Sequence, residues 1–264
     1  MMPLSSFLSC HWRHKKAKGY ASVLSAAQKL DQEVWDTHGI KLLFCSDPWQ
    51  FRDMSTAEVE RGKVYFEVDD RDPPQLGTHA DPTCRYLNNA NFFALIGTAT
   101  DRPLPLYTMN TAALYEPESP STICTLADIF MRRRIWSDFP DRDCADLDVD
   151  VFGLMAHSHC LPAVFLGTAW TRQDRRRRGI MHMVSKLHRF TAYLRYGPLP
   201  QFATIVPDRE HDKLFEGRDI GCVIETRDGM SKESRVLFYT PADIEQAATR
   251  VLTGHDHTMN LSAT

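Results

Sequence analysis

The fold turns on the reading of one stretch, Ala163-Val-Phe-Leu-Gly-Thr-Ala-Trp-Thr-Arg-Gln-Asp-Arg-Arg-Arg-Arg-Gly-Ile-Met-His-Met-Val-Ser-Lys-Leu187. It opens apolar and strand-like over 163–170. A polar run comes next, with arginine at 172, 175, 176, 177 and 178. Gly179 then precedes the strongest helical pattern in the chain. Ile180, Met183, Val184, Leu187, Phe190 and Leu194 fall on one stripe, and Gly197-Pro198 ends it. The first turn of a helix leaves backbone N–H groups without partners. The helix dipole favours negative charge at the same place, so a diphosphate fits there. A glycine lets backbone and phosphate approach closely, and arginines add charge-assisted hydrogen bonds. The alternative for the arginines is a solvated loop or a nucleic-acid patch. The formal net charge is −3, which gives no global attraction to nucleic acid or anionic lipid. Any anion site has to be local.

Working outward from this stretch, 202–206 reads as a strand between Pro200 and Pro207, and 208–217 as a short helix. Strands are expected at 222–226 and 235–239, then a terminal helix over 241–252. Upstream, 92–96 and 106–115 form a hairpin pattern with a long loop. A helix is expected over 122–136 and a strand over 151–156. Nearer the N-terminus, Val23, Leu24, Ala27, Leu30 and Val34 recur at helical spacing over 20–38, and Gly39 stops the helix. Short strands are expected at 40–45 and 64–68. Residues 1–18 read as a ragged basic tail. The expected fold is α/β, with a mixed central sheet, flanking helices and an N-terminal helical extension. Residues 1–90 would pack as that extension on a core spanning 91–264.

With these residues quoted, the chain resembles the GNAT superfamily of N-acyltransferases. The family motif is an apolar strand and then [QR]-x-x-G-x-[GA] opening a helix. Here it is met by Arg176-Arg177-Arg178-Gly179-Ile180-Met181. The resemblance implies the acyl-CoA N-acyltransferase fold, with acetyl-CoA or another acyl-CoA as co-substrate and no metal. It implies that the backbone from Arg177 to Met181 holds the pyrophosphate, that Arg176 belongs to the same turn, and that Trp170 and Thr171 meet the pantetheine amides. The strand at 202–206 would splay from the motif strand to admit the donor. The acceptor would be a small-molecule or peptide amine. The length of the chain also brings it near the long-chain N-acyl amino acid and acyl-homoserine-lactone synthases, which would make acyl carrier protein a partner. Met181 stands where the family prefers Gly or Ala. Phe215 stands near a position where many members carry a tyrosine that protonates the leaving thiolate.

The attacking amine has to lose a proton, and His or a carboxylate is the usual acceptor. His157, His159 and Glu116 are the candidates nearest the motif strand and the hairpin exit, with Asp208 beyond the second strand. His157-Ser-His159-Cys160 could instead offer zinc ligands on a strand edge, but no second cluster stands at ligand spacing. Each of these residues could equally be a surface or capping group. The 7 cysteines are scattered and odd in number, which suits a reducing cytoplasm better than a disulfide framework. No segment reaches the length and hydrophobicity of a membrane span. A domain that binds coenzyme A or a polyanion without catalysis remains the non-enzymatic reading.

Overall fold

The computed structural model describes residues 1–10, 16–62, 87–100, 102, 105–115, 162–205, 218–225 and 231–255. Among these residues, eight strands form one mixed sheet: β1 (Met2–Pro3), β2 (Lys41–Cys45), β3 (Phe92–Thr98), β4 (Leu106–Tyr115), β5 (Ala163–Thr171), β6 (Gln201–Ile205), β7 (Arg218–Glu225) and β8 (Ser231–Tyr239). Their order across the sheet is β1-β2-β3-β4-β5-β6-β8-β7. The β5–β6 pair is parallel, and the other pairings are antiparallel. The helices among the described residues are α1 (Leu4–Ser9), α2 (Tyr20–His38), α3 (Pro48–Gly62), α4 (Ile180–Tyr196) and α5 (Pro241–Thr253). The mixed sheet with flanking helices is the architecture that the sequence leads one to expect.

Alternation along the strands builds two cores, one on each face. Leu42, Phe44, Phe93, Leu95, Val164 and Leu166 face the layer made by α1, α2, α4 and α5. Leu43, Cys45, Phe92, Ala94 and Ile96 face α3, where Phe51 and Met54 meet them. All seven residues of β3 are buried, as expected of a strand covered on both faces. Helix α4 is the hub of the first layer. Its sequence stripe understates its burial, because Ser185, Lys186, His188, Arg189 and Thr191 are buried as well. Each large apolar side chain it buries, such as Leu187 or Phe190, contributes roughly 1.5–3 kcal/mol.

Residues 1–10 are not a ragged tail. Met2 and Pro3 pair with Phe44 and Leu43 at the sheet edge. Leu4, Phe7 and Leu8 are buried, and the Phe7 ring stacks on Phe44 at 3.9 Å. Basic residues at 13–18 obscure this short amphipathic helix in the sequence. Helix α3 is a second element the sequence reading lacks. Asp47 caps it, accepting from the backbone N–H of Trp49 at 2.9 Å and of Gln50 at 3.2 Å, and Pro48 is its first residue. An Asp-Pro pair of this kind is a helix-start signal. The expected strands at 64–68 and 151–156 and the helices at 122–136 and 208–217 lie outside the described residues.

Two irregularities shape the middle of the sheet. Gly97 faces Thr108 and Thr98 faces Leu106, so Tyr107 is an extra residue in β4. Met109 faces Trp170 and Thr111 faces Gly167, so β5 carries an extra residue at Thr168–Ala169. Bulges of this kind bend a strand and re-aim the side chains beyond them. Past its bulge, β5 turns Trp170 into the α3-side core.

Candidate functional site

The site begins where β5 and β6 part. They pair over three positions, Val164–Gln201, Phe165–Phe202 and Leu166–Ala203. From Gly167 onward, the side of β5 facing β6 has no strand partner among the described residues. The bulge at Thr168–Ala169 lies in this open half. This side of β5, without a strand partner among the described residues and leading to the turn at its end, is called the slot below.

The turn is tied down residue by residue. The Thr108 hydroxyl donates to the Trp170 carbonyl oxygen at 2.9 Å and lies 3.2 Å from the Thr171 hydroxyl. The Arg172 N–H donates to the Tyr107 carbonyl at 2.9 Å. A single 3₁₀ turn, Gln173–Arg175, comes next. Arg172 grips Asp174 with two hydrogen bonds, 2.6 and 2.7 Å long. Hydrogen bonding from Arg172, above all, holds the Asp174 carboxyl below the usual carboxylate range. Arg175 Nε lies 3.7 Å from Asp174, an ion-pair distance too long for a hydrogen bond. Arg176 Nε donates back to the Thr171 carbonyl at 3.0 Å.

Two left-handed residues then set the entry to α4. Arg177 has φ 63° and Gly179, the N-cap, has φ 75°. Left-handed φ is uncommon outside glycine and costs an arginine roughly 1–2 kcal/mol. Such strain tends to mark functional turns, and left-handed residues among successive N–H groups form anion-binding concavities. No side chain among the described residues caps α4. A Cβ built on Gly179 would meet nothing within 4 Å. Among the described residues, the space beside Gly179 is therefore open. Arg177 and Arg178 are exposed, and neither makes a hydrogen bond or ion pair with another described residue.

The helix entry is also supported from below. The Ser185 hydroxyl donates to Met181 Sδ at 3.3 Å, and Asn110 Nδ2 reaches Ser185 Oγ at 3.2 Å. The Met181 side chain is thereby drawn along the helix towards its next turn. Asn110 Oδ1 and Thr111 Oγ1 are buried beside the bulge without a hydrogen-bond partner among the described residues. His38, in the last turn of α2, is a neighbour that no spacing in the sequence reveals. Burial first, then the charges of Arg178 and Arg175, lower its proton affinity.

Of the residues expected at the site, the structure brings Thr171 and Arg176 to Met181 together at the end of the slot. The Trp170 ring packs in the α3-side core with only 9% of its surface exposed, so its backbone faces the slot and its ring does not. His157, His159, Glu116, Asp208 and Phe215 lie outside the described residues. Among the described residues, no three His, Cys, Asp or Glu side chains converge on a point where a metal could sit. Nor is any described helix long and apolar enough to cross a membrane.

The chain is similar to solved N-acyltransferases. Arabidopsis thaliana NAA60 in complex with acetyl-CoA aligns at 14% identity and TM-score 0.39, covering 75% of this chain and 98% of that one. Mycobacterium smegmatis RimJ in complex with CoA-disulfide aligns at 10% identity and TM-score 0.45, over 82% and 89% of the two chains. FeeM, an N-acyl amino acid synthase from uncultured soil microbes, aligns at 9% identity and TM-score 0.44, over 81% and 97%. No family model and no curated protein matches the sequence.

Proposed function

We propose that this chain is an N-acyltransferase that takes an acyl group from acyl-CoA and delivers it to an amine. The observation that carries the reading is the slot: β5 and β6 part after three paired residues, and β5 leads into an uncapped helix N-terminus with open space at Gly179. An extended chain of amides ending in a diphosphate has the shape and chemistry of that slot. The backbone N–H groups from Arg177 to Met181 would hold the diphosphate. Arg177 and Arg178 would add charge from outside. The unpaired side of β5 at Gly167–Ala169 offers N–H and C=O groups to the pantetheine amides, as a sheet edge does to an added strand.

The bound thioester supplies the activated acyl group. The amine attacks its carbonyl carbon, the C–S bond breaks, and the electron pair leaves on sulfur. The protein holds the donor in line with the acceptor and polarises the carbonyl with backbone donors that the bulge aims into the slot. No covalent intermediate with the protein is required. His157, His159 and Glu116 are the side chains we propose to take the amine proton. The cytoplasm is the proposed compartment.

Calorimetric titration with acetyl-CoA and with a long-chain acyl-CoA tests the reading. Micromolar binding of either supports it, and preference between them sets the chain length. If neither binds, the proposal fails. Binding of polyanions in general, without preference for coenzyme A, would favour a non-catalytic anion-binding role.

A further inference from the structure

The five arginines of the turn are of two kinds. Arg172 and Arg175 each place the guanidinium carbon 4.4 Å from the centroid of the Tyr107 ring. Both lie at ion-pair distance from Asp174. Arg176 is turned back onto the Thr171 carbonyl. Arg177 and Arg178, by contrast, point no hydrogen-bonding group at any described residue. Five like charges in seven residues repel one another, so a chain that collects them has to hold some in place. An aromatic face attracts guanidinium groups, and Asp174 supplies an opposite charge. Tyr107 can serve because it is the extra residue of β4 and also lends its carbonyl to the Arg172 N–H.

We propose that Tyr107 and Asp174 are positioning residues: they fix Arg172 and Arg175 and so set the shape of the diphosphate turn before any ligand arrives. The inference rests on the diphosphate reading above and deepens it. Arg177, Arg178 and the backbone meet the anion. Arg172 and Arg175 act through the turn. If instead all five arginines served as phosphate ligands, removing Tyr107 or Asp174 would release cations and leave affinity unchanged or raise it.

The experiment measures coenzyme A affinity of the full chain by calorimetry for wild type, Tyr107→Leu, Tyr107→Phe and Asp174→Asn. Tyr107→Leu is expected to weaken binding about tenfold and Asp174→Asn about threefold to fivefold, following the size of cation–π and exposed charge-pair interactions. Tyr107→Phe keeps the ring and stays within about twofold of wild type. Pantetheine lacks the diphosphate, and its weak binding, followed by saturation-transfer NMR, does not change among the variants. Wild type that fails to bind coenzyme A would overturn the functional reading itself. Wild type that binds, with Tyr107→Leu and Asp174→Asn binding equally well or better, would overturn the positioning role alone. So would an equal loss for pantetheine, which would signal general collapse of the slot. Should Tyr107→Leu not fold, Asp174→Asn decides, because the Asp174 side chain is exposed.

Discussion

Helices α2 and α4 begin in the same way and differ in what stands before them. Each starts after a left-handed glycine, Gly19 at φ 87° and Gly179 at φ 75°, and neither has a side-chain cap of its own. At α2 the space is filled. A Cβ on Gly19 would overlap the Glu245 side chain, and the Tyr193 hydroxyl donates to Glu245 Oε1 at 2.7 Å. The carboxylate of α5 thus stands at the positive end of α2, where a negative charge is favoured. At α4 a Cβ on Gly179 would meet no described residue within 4 Å, and the exposed Arg177 and Arg178 precede the glycine. The protein closes one helix terminus with its own carboxylate and leaves the other without one among the described residues.

The largest expected effect comes from giving α4 what α2 already has. Gly179→Glu places a carboxylate at the open terminus, and coenzyme A affinity measured by calorimetry should fall at least about 100-fold, roughly 2.7 kcal/mol. Unchanged affinity would mean the ligand does not sit there. Next, Gly19→Ala tests the filled terminus. Left-handed strain and the contact with Glu245 should together lower unfolding free energy by about 2 kcal/mol. In a Glu245→Ala background the same change should cost only about 1 kcal/mol, a coupling that denaturant titration of the double-mutant cycle would reveal. Additive losses would dismiss the Glu245 contact.

Smaller effects are expected at the exposed arginines. Arg177→Ala and Arg178→Ala should each weaken coenzyme A binding about threefold to tenfold, and less at high salt. Stability itself should not move, and a fall in melting temperature would give them a structural role instead.

The two helices also carry titratable groups of opposite sense, one half-buried and one buried. Burial pushes Asp31 on α2 up to about 6, so the folded chain keeps a proton that the unfolded chain releases from about pH 4 upward. Its ionised form costs stability, and the cost grows as pH rises to about 6 and then stays constant. Burial, and next the charge of Arg189, push His188 on α4 down to about 3. The unfolded chain takes up that proton first, so this group lowers stability as pH falls from about 6.5 towards 3. Asp31→Asn should therefore raise stability at about pH 7 by about 1 kcal/mol, after allowing for solvent screening of a half-buried carboxyl. It should also steepen the loss below about pH 6. Chemical unfolding at about pH 7 and about pH 4.5 checks both signs.

Much of this was readable from the residues. The helical period of α2 gives its two ends at Tyr20 and His38, because glycines bound it. The strand β4, and the helices α4 and α5 to within a residue or so, emerge equally from pattern. What hid was non-local. The place of β1 beside β2 depends on a pairing across some forty residues, and the insertion of β8 between β6 and β7 has no local signature. Helix α3 escaped because Phe51 and Met54 are too few to make a period, although Asp47-Pro48 announces its start. At the candidate site, the turn between β5 and α4 was legible as glycine, arginines and helix. The sorting of those arginines was not, because Tyr107 lies far back in the chain from Arg172 and meets it only through the bulge of β4.

The extra residue in β5 has a consequence for how the strand could change over time. Val164 and Leu166 face one core and Trp170 the other, although all three numbers are even. Parity is broken once, at Thr168–Ala169. Losing one residue there would close the bulge and leave the indole on its own side, still opposite Met109, because the two residues occupy the room of one. This edge of β5 therefore has one place where its length can fall by one residue without moving a side chain from one core to the other, and what such a loss would remove is the bend itself.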